Sequence, residues 1–277
     1  MNAARRLLAG LSRHPSGLVA GLFILLLVVL ALLVGFFPQL DPRAMSDDSM
    51  TAPSAAHLLG TDELGRSVLA GVLYGIRVTL AVGFLAALVS TAIGVLIGAV
   101  AGFYGGWLDT AMMRIAEFFQ VIPSFVLAAV IVAMTGAGLT QVIVVVGLLA
   151  WPQVARVMRG EVMRVKQLEF VDAVRCLGIG EPQVLAEEVV PNAIAPVLAV
   201  GTLIIGQAIL LEASLSFLGL SSAELISWGR MLNSGQRFLF NAWWLSFFPG
   251  TAIFVTVLAF NLFGDAVGAV LNPRNAR

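Results

Sequence analysis

The chain has 277 residues, of which 59% are hydrophobic and 12% charged, and its 16 basic and 16 acidic side chains give a net charge of zero. This composition excludes an ordinary soluble domain, and without a basic run the chain gives no indication of a nucleic-acid partner. The single cysteine excludes an intrachain disulfide, and the two histidines, His14 and His57, are too few and too far apart for a metal site. Apolar runs such as "LFILLLVVLALLVGFF" lack the alternation of barrel strands, so the sequence predicts an all-α membrane protein.

Six apolar stretches are long enough to cross a bilayer, which takes about 20 helical residues. They cover residues 18–37, 78–101, 111–135, 140–157, 191–211 and 247–270. The first exceeds the usual apolar region of a secretory signal peptide, so we expect it to be retained as a membrane span. The sequence thus predicts one transmembrane domain over residues 1–277. Its parts are an N-terminal segment at 1–17, a first external loop at 38–77 and a core at 78–270.

The distribution of Lys and Arg predicts the orientation of these helices, because basic residues are enriched in cytoplasmic loops. One side carries Arg5, Arg6, Arg13, Arg114, Arg156, Arg159, Arg164, Lys166, Arg175, Arg274 and Arg277, whereas the other carries Arg43, Arg66, Arg77, Arg230 and Arg237. Both termini and the segment 165–191 are therefore expected in the cytoplasm.

Glycines recur every four residues in "GVLIGAVAGFYGG", at Gly94, Gly98, Gly102 and Gly106. Such a series forms a groove that lets another helix approach closely. It fits either an interface that slides during transport or static tight packing, and the sequence does not decide between them.

Two prolines, Pro123 and Pro152, interrupt the third and fourth predicted spans. A proline frees one backbone carbonyl and bends the axis, which suits a helix beside a solute path but also occurs in inert membrane helices.

Three carboxylates, Glu117, Glu212 and Asp265, fall inside predicted spans, where ionisable groups are costly and often functional. Glu117 is the best candidate for a proton relay, although Arg114 one turn earlier favours a structural ion pair. Glu212 is expected at the outer rim and Asp265 near the inner face.

The segment "EFVDAVRCLGIGEPQVLAEEVVPN", residues 169–192, mixes acids with apolar residues at helical spacing. Its apolar side is expected to contain Val165, Phe170, Val171, Val174 and Leu177, which indicates an amphipathic helix.

Gly178 or Gly180 can end this helix in a left-handed turn, and Pro182 is well placed to open a second one. The pattern predicts a helical hairpin at the membrane face between the fourth and fifth spans. A solvated loop is the alternative, but it would not need this spacing. Because Lys166 is the only lysine and is followed by Gln, the chain has no G-x-x-x-x-G-K-[ST] phosphate loop, and a docking surface for a soluble partner becomes the favoured interpretation.

The same segment resembles the E-A-A-x-x-x-G motif of bacterial ABC importer permeases. Asp172, Ala173 and Val174 stand at its Glu-Ala-Ala positions, Gly178 at its glycine and Pro191 at its closing proline.

Three further stretches are similar to the second membrane subunit of the dipeptide, oligopeptide and nickel branch of that family. They are "HLLGTDELGRSVLAGVLYGIRVTL", "LEASLSFLGL" and "FNLFGDAVGAVLNPR".

The resemblance implies a type I ABC importer permease fold in the bacterial inner membrane. It also implies a second homologous permease, two cytoplasmic ATPases, an external solute-binding protein and membrane lipid as partners. The chain itself would not be an enzyme and would hold no cofactor, because the partner subunits would bind ATP and magnesium. The solute would be a peptide or a similar small molecule such as a nickel chelate, an opine or a glycoside.

The residue patterns and the resemblance together give three groups of candidate site residues. Glu169, Phe170, Asp172, Ala173, Val174, Arg175, Gly178 and Pro191 would couple to the ATPases. Gly60, Thr61, Asp62, Gly65, Arg66, Glu212, Trp228 and Gly229 would face the binding protein or gate the path. Gly94, Gly98, Gly102, Pro123 and Pro152 would serve the path or helix packing. A self-sufficient secondary carrier or channel using Glu117 and Asp265 is the alternative hypothesis.

Overall fold

The computed structural model describes residues 14–37, 40–136, 138–222 and 224–271, and the parts of the predicted terminal segments at 1–13 and 272–277 lie outside them. Nine helices account for most of the described chain. In order they are α1 Pro15–Leu33, α2 Val68–Tyr104, α3 Gly106–Val121, α4 Ser124–Thr135, α5 Leu139–Val165, α6 Glu169–Cys176, α7 Val190–Phe217, α8 Trp228–Gly235 and α9 Trp244–Leu271. A helical turn, Glu181–Gln183, and a π-helical segment, Val184–Val189, lead directly into α7.

Within the described residues, five helical segments are long and apolar enough to cross a membrane. They are Pro15–Phe36, Val68–Tyr104, Leu139–Val165, Glu181–Phe217 and Trp244–Leu271. The sixth predicted span corresponds to the pair α3 and α4, which passes the same test only as one broken unit. The all-α architecture is therefore confirmed, with one of the six spans divided in two.

The break between α3 and α4 is a bend of 85° at Pro123. Ile122, the residue before the proline, is extended at φ −81° and ψ 130°, as expected because the proline ring disfavours a helical conformation there. The interruption predicted at Pro123 is thus present. Pro152, in contrast, lies inside the continuous helix α5.

Several helix boundaries differ from those expected. Helix α2 begins at Val68 rather than near residue 78, so the C-terminal part of the predicted first external loop is helical. The Ser67 hydroxyl caps this helix by accepting a hydrogen bond from the backbone N–H of Ala70 at 3.3 Å. The fifth span has no boundary at Pro191, because helical structure is continuous from Glu181.

Helices α2 and α5 pack against each other along the predicted glycine groove. A Cβ atom at Gly94 would overlap Val154, one at Gly98 would overlap the carbonyl of Ala155, and one at Gly102 would lie 2.7 Å from the carbonyl oxygen of Arg159. The backbones are therefore in contact, which only glycine permits. In this conformation the three glycines pack tightly against α5.

Gly106 does not belong to this groove. It lies at φ +61°, next to Gly105 at φ +68°, and nothing approaches the Cβ position of either residue within 4 Å. The two glycines form the corner between α2 and α3, because both need the left-handed conformation that glycine adopts without strain.

Candidate functional site

The segment between α5 and α7 forms the predicted helical hairpin. Its first arm is α6, Glu169–Cys176, and Gly178 follows at φ +80°, the left-handed turn that glycine favours. Pro182 lies in the first turn of the second arm, where its missing N–H leaves no bond unmade. That second arm is the N-terminal extension of α7 and not a separate helix.

Three buried valines hold the hairpin against the bundle. Val171 in the first arm and Val184 and Val189 in the second are fully buried within one hydrophobic cluster. Val165 joins the same cluster, but as the last residue of α5, so its predicted place on the amphipathic helix is wrong.

The apolar side expected for α6 is divided between two surfaces. Val171 faces the bundle, whereas Phe170 is 39% exposed and Leu177 is 79% exposed. The outer surface of the hairpin also exposes Glu169, Asp172, Ala173, Gly178 and Pro191 among the predicted coupling residues, while Val174 and Arg175 are half-buried. The chain thus presents apolar side chains to its surroundings at the tip of a hairpin whose other face is anchored.

Arg175 joins the two arms across the glycine turn. Its Nε lies 3.2 Å from Oε1 of Glu181, and its Nη1 lies 3.2 Å from Oδ1 of Asp172. The hydrogen bond to Glu181 raises the pKa of Arg175 above its usual range. The guanidinium also lies over the ring of Phe103, 5.6 Å from its centroid, which connects the hairpin to the end of α2.

Lys166 also binds the same end of α2. Its Nζ donates hydrogen bonds to the backbone carbonyls of Gly102, at 2.7 Å, and Phe103, at 3.0 Å. These carbonyls belong to the last turn of α2, where partial negative charge favours a cation.

A second ion pair lies nearby, between Asp109 of α3 and Arg159 of α5. Both carboxylate oxygens accept bonds from the guanidinium, at 2.5 and 2.6 Å. Reasoning from the sequence missed Lys166, Phe103 and this pair, since each joins residues far apart in the chain.

The loop at Gly60 to Arg66 forms a tight turn at the opposite end of the bundle. Asp62 Oδ1 accepts hydrogen bonds from the backbone N–H groups of Leu64 and Arg66, both at 2.9 Å, and Oδ2 accepts one from Nε of Arg66 at 2.8 Å. Gly60 and Gly65 have φ of +80° and +71°, and a side chain at either would meet neighbouring backbone. The two glycines therefore define the shape of the loop.

Thr61 anchors this loop to the bundle and is fully buried. Its carbonyl accepts a hydrogen bond from Trp244 Nε1 at 3.1 Å. A small cavity of about 100 Å³ separates the loop from α8, and its lining includes Asp62, Arg66 and Arg230. The structure therefore brings together the two segments expected to face the binding protein.

Three residues expected at this outer surface are instead buried. Trp228 is 1% exposed and donates from Nε1 to the carbonyl of Val72 at 2.8 Å, and a Cβ at Gly229 would lie 2.5 Å from the carbonyl oxygen of Ala213. Glu212 is 4% exposed and accepts a hydrogen bond from Ser216 at 2.6 Å. A direct contact of these residues with an external protein is therefore wrong for this conformation. Trp228 and Gly229 hold α8 against α2 and α7, and Glu212 is bonded within α7.

The carboxylates of the carrier hypothesis are not brought together. Glu117 pairs with Arg114 at 2.8 Å and both side chains are exposed, as the ion-pair interpretation expected. Asp265 is exposed on α9, about 9 Å along the helix axis from its end at Leu271. Pro152 is buried, so it does not line a path, whereas Pro123 is exposed at the bend.

A bundle of apolar spanning helices with an anchored hairpin exposed at its cytoplasmic end defines the membrane component of a transporter. The sequence profile of the binding-protein-dependent transport system inner membrane component matches residues 94–277. The chain belongs to this family, the permeases of ABC importers, and is a multi-pass protein of the bacterial inner membrane.

Curated relatives extend the similarity over most of the chain. The glutathione transport system permease protein GsiD of Pectobacterium atrosepticum is 37% identical over 95% of this chain and 88% of its own length. The dipeptide transport system permease protein DppC of Bacillus subtilis is 38% identical over 94% of this chain and 82% of its own length.

A solved structure shows the same fold. The MetNI methionine ABC transporter in an inward-facing conformation matches with a TM-score of 0.60 at 19% identity, over 73% of this chain and 96% of that chain. The expected type I importer permease fold is thus confirmed.

Proposed function

We propose that this chain forms half of the translocation path of an ATP-driven importer for peptides or similar small solutes. A second homologous permease supplies the other half. The relatives named for dipeptide and glutathione transport support this solute class, since both solutes are short peptides.

Two cytoplasmic ATPases dock on the hairpin and supply the energy. The observation that carries this assignment is the exposure of Phe170 and Leu177 on a hairpin whose Val171 is fully buried. Exposed apolar side chains on an anchored element favour burial against a protein partner. ATP and magnesium are held by those partners, and the chain itself has no cofactor and no catalytic activity.

An external solute-binding protein docks on the opposite face, at the loop of Gly60 to Arg66 and at α8. The exposed part of this surface, rather than the buried Trp228 and Gly229, would make the contact. Differential contact of the partners with two states of the permease is the physical requirement for coupling.

Copurification tests the docking assignment. Phe170→Asp and Leu177→Asp, placed singly in the complete transporter, should each remove most of the ATPase from the purified permease. Leu58→Asp is the matched control, because Leu58 is similarly exposed but lies in the external loop. Full ATPase recovery with both hairpin variants would refute the assignment.

Reconstitution separates the importer from the secondary carrier. The complete transporter should accumulate solute with ATP, whereas the permease pair alone should move none when given a proton gradient. Mass spectrometry of the ligand retained by the copurified binding protein identifies the solute, and a ligand without peptide bonds would refute the peptide assignment.

A further inference from the structure

A groove of about 390 Å³ opens on the side of the bundle, between α4, α5 and α7. Most of its lining is apolar, as on any membrane-facing surface. Four polar side chains interrupt it, from Ser124, Gln153, Gln207 and Ser214, and all four are exposed in this chain.

The two glutamines lie at the depth of the hydrocarbon core. At 1.5 Å per residue, Gln153 is about 21 Å along α5 from its start at Leu139, and Gln207 is about 15 Å from the end of α7 at Phe217. The hydrocarbon core of a bilayer is about 30 Å thick. At these depths, neither side chain can contact the bulk water at a membrane surface.

The two glutamine amides differ from the hydroxyl of Ser214 in their hydrogen bonding. Ser214 satisfies its hydroxyl by donating to the carbonyl of Leu210 at 2.7 Å. Neither Gln153 nor Gln207 has a hydrogen-bond partner within the described chain. An amide exposed to lipid without partners costs several kcal/mol, so a bilayer facing these side chains is strongly disfavoured.

On α1 and α2, the side chains exposed at this depth are apolar. Helix α1 exposes Leu22, Leu25 and Leu26, and α2 exposes Leu88. These leucines have the chemistry that lipid requires, which distinguishes the groove from the lipid-facing surface.

We propose that this groove is this chain's wall of the translocation path, and that Gln153 and Gln207 hydrogen-bond the amide groups of the passing solute. The inference rests on the proposed function. Each glutamine amide both donates and accepts, which matches the N–H and C=O groups of a peptide bond. The lining carries no Asp, Glu, Lys or Arg, so it holds the solute by neutral contacts that are weak enough to release it.

Water access to the groove tests its position. In a Cys176→Ser background, Gln153→Cys and Gln207→Cys are treated in the complete transporter with a charged, water-soluble methanethiosulfonate, with and without ATP. Leu25→Cys and Leu88→Cys are the lipid-facing controls. The glutamine positions should react at least about tenfold faster than the controls in one of the two nucleotide states, because the reagent needs water and a thiolate.

Equal, slow reaction of all four cysteines in both states would overturn the proposal, since the groove would then be a dry contact with the partner permease or with lipid. This readout does not depend on the solute. If the transporter retains its ATPases but the two glutamine positions do not react, only the assignment of the groove to the translocation path is refuted. The docking of the ATPases on the hairpin is tested separately, by the copurification experiment.

Solute contact is tested with Gln153→Met and Gln207→Met, which keep the side-chain length but remove the hydrogen bonds. Uptake of labelled dialanine per ATP hydrolysed should fall about 2- to 10-fold for each, as expected for one lost hydrogen bond. Leu88→Met should transport as the unmodified protein does. Unchanged uptake by both glutamine variants would refute the contact with the solute.

Discussion

Gly98→Ala is the most direct test of the contact between α2 and α5. The added Cβ would overlap the backbone carbonyl of Ala155 and lie 2.8 Å from Cβ of Met158. Neither atom is the end of a flexible side chain, so the two helices must move apart. Overpacking of this kind costs about 1–3 kcal/mol, which corresponds to a fall of roughly 2–12 °C in melting temperature for a domain of this size.

Gly160→Ala is the matched control, because Gly160 lies in the same helix pair and nothing approaches its Cβ position within 4 Å. Alanine should stabilise α5 there by up to about 1 kcal/mol through its higher helix propensity. The assay is thermal unfolding of the purified protein in detergent, followed by intrinsic tryptophan fluorescence. Equal melting temperatures for Gly98→Ala and the unmodified protein would show that the helices are not in backbone contact at this position.

Three further predictions concern the ion pairs and the external loop. Lys166→Met should lower the free energy of unfolding by about 1.5–3 kcal/mol, because the carbonyls of Gly102 and Phe103 lose a charged donor. Arg164→Met removes a partly exposed ion pair with Glu161 and should change it by less than about 1 kcal/mol; chemical denaturation compares the two variants. Asp109→Asn should lower the melting temperature because it leaves Arg159 without its carboxylate, and a melting temperature equal to that of the unmodified protein would contradict the role of the pair. Gly65→Ala should increase protease cleavage of the external loop without changing ATPase binding, since the new Cβ would meet a backbone carbonyl at a positive φ.

Local patterns in the sequence were sufficient to predict the spans and the hairpin. Apolar length alone locates five continuous spans, and Gly178 and Pro182 mark the turn of the hairpin because each has a backbone conformation that few residues share. The 85° bend at Pro123 was only partly predictable. Proline indicates an interruption, but its angle depends on the packing of both flanking helices.

Features that depend on contacts between distant residues were not predictable in this way. The sequence around Trp228 is typical of a loop. Its side chain is nevertheless buried, because α8 packs on α2, where the indole donates a hydrogen bond to the carbonyl of Val72. Helical periodicity placed Phe170 and Val171 on one apolar side, but it does not show which part of that side the bundle covers. No sequence pattern singled out Gln153 or Gln207, because three helices must pack together before the two side chains line one groove.

The uninterrupted helix from Glu181 to Phe217 has a mechanical consequence. It contains 37 residues, a length of about 55 Å at 1.5 Å per residue. One end carries the second arm of the hairpin, and the other carries Glu212 and the contacts with α8. A tilt of about 10° imposed at the hairpin therefore moves the far end by roughly 10 Å if the helix turns as one rod. Under the proposed function, the ATPases and the external binding protein would therefore act on opposite ends of a single long helix, with Gln207 between them.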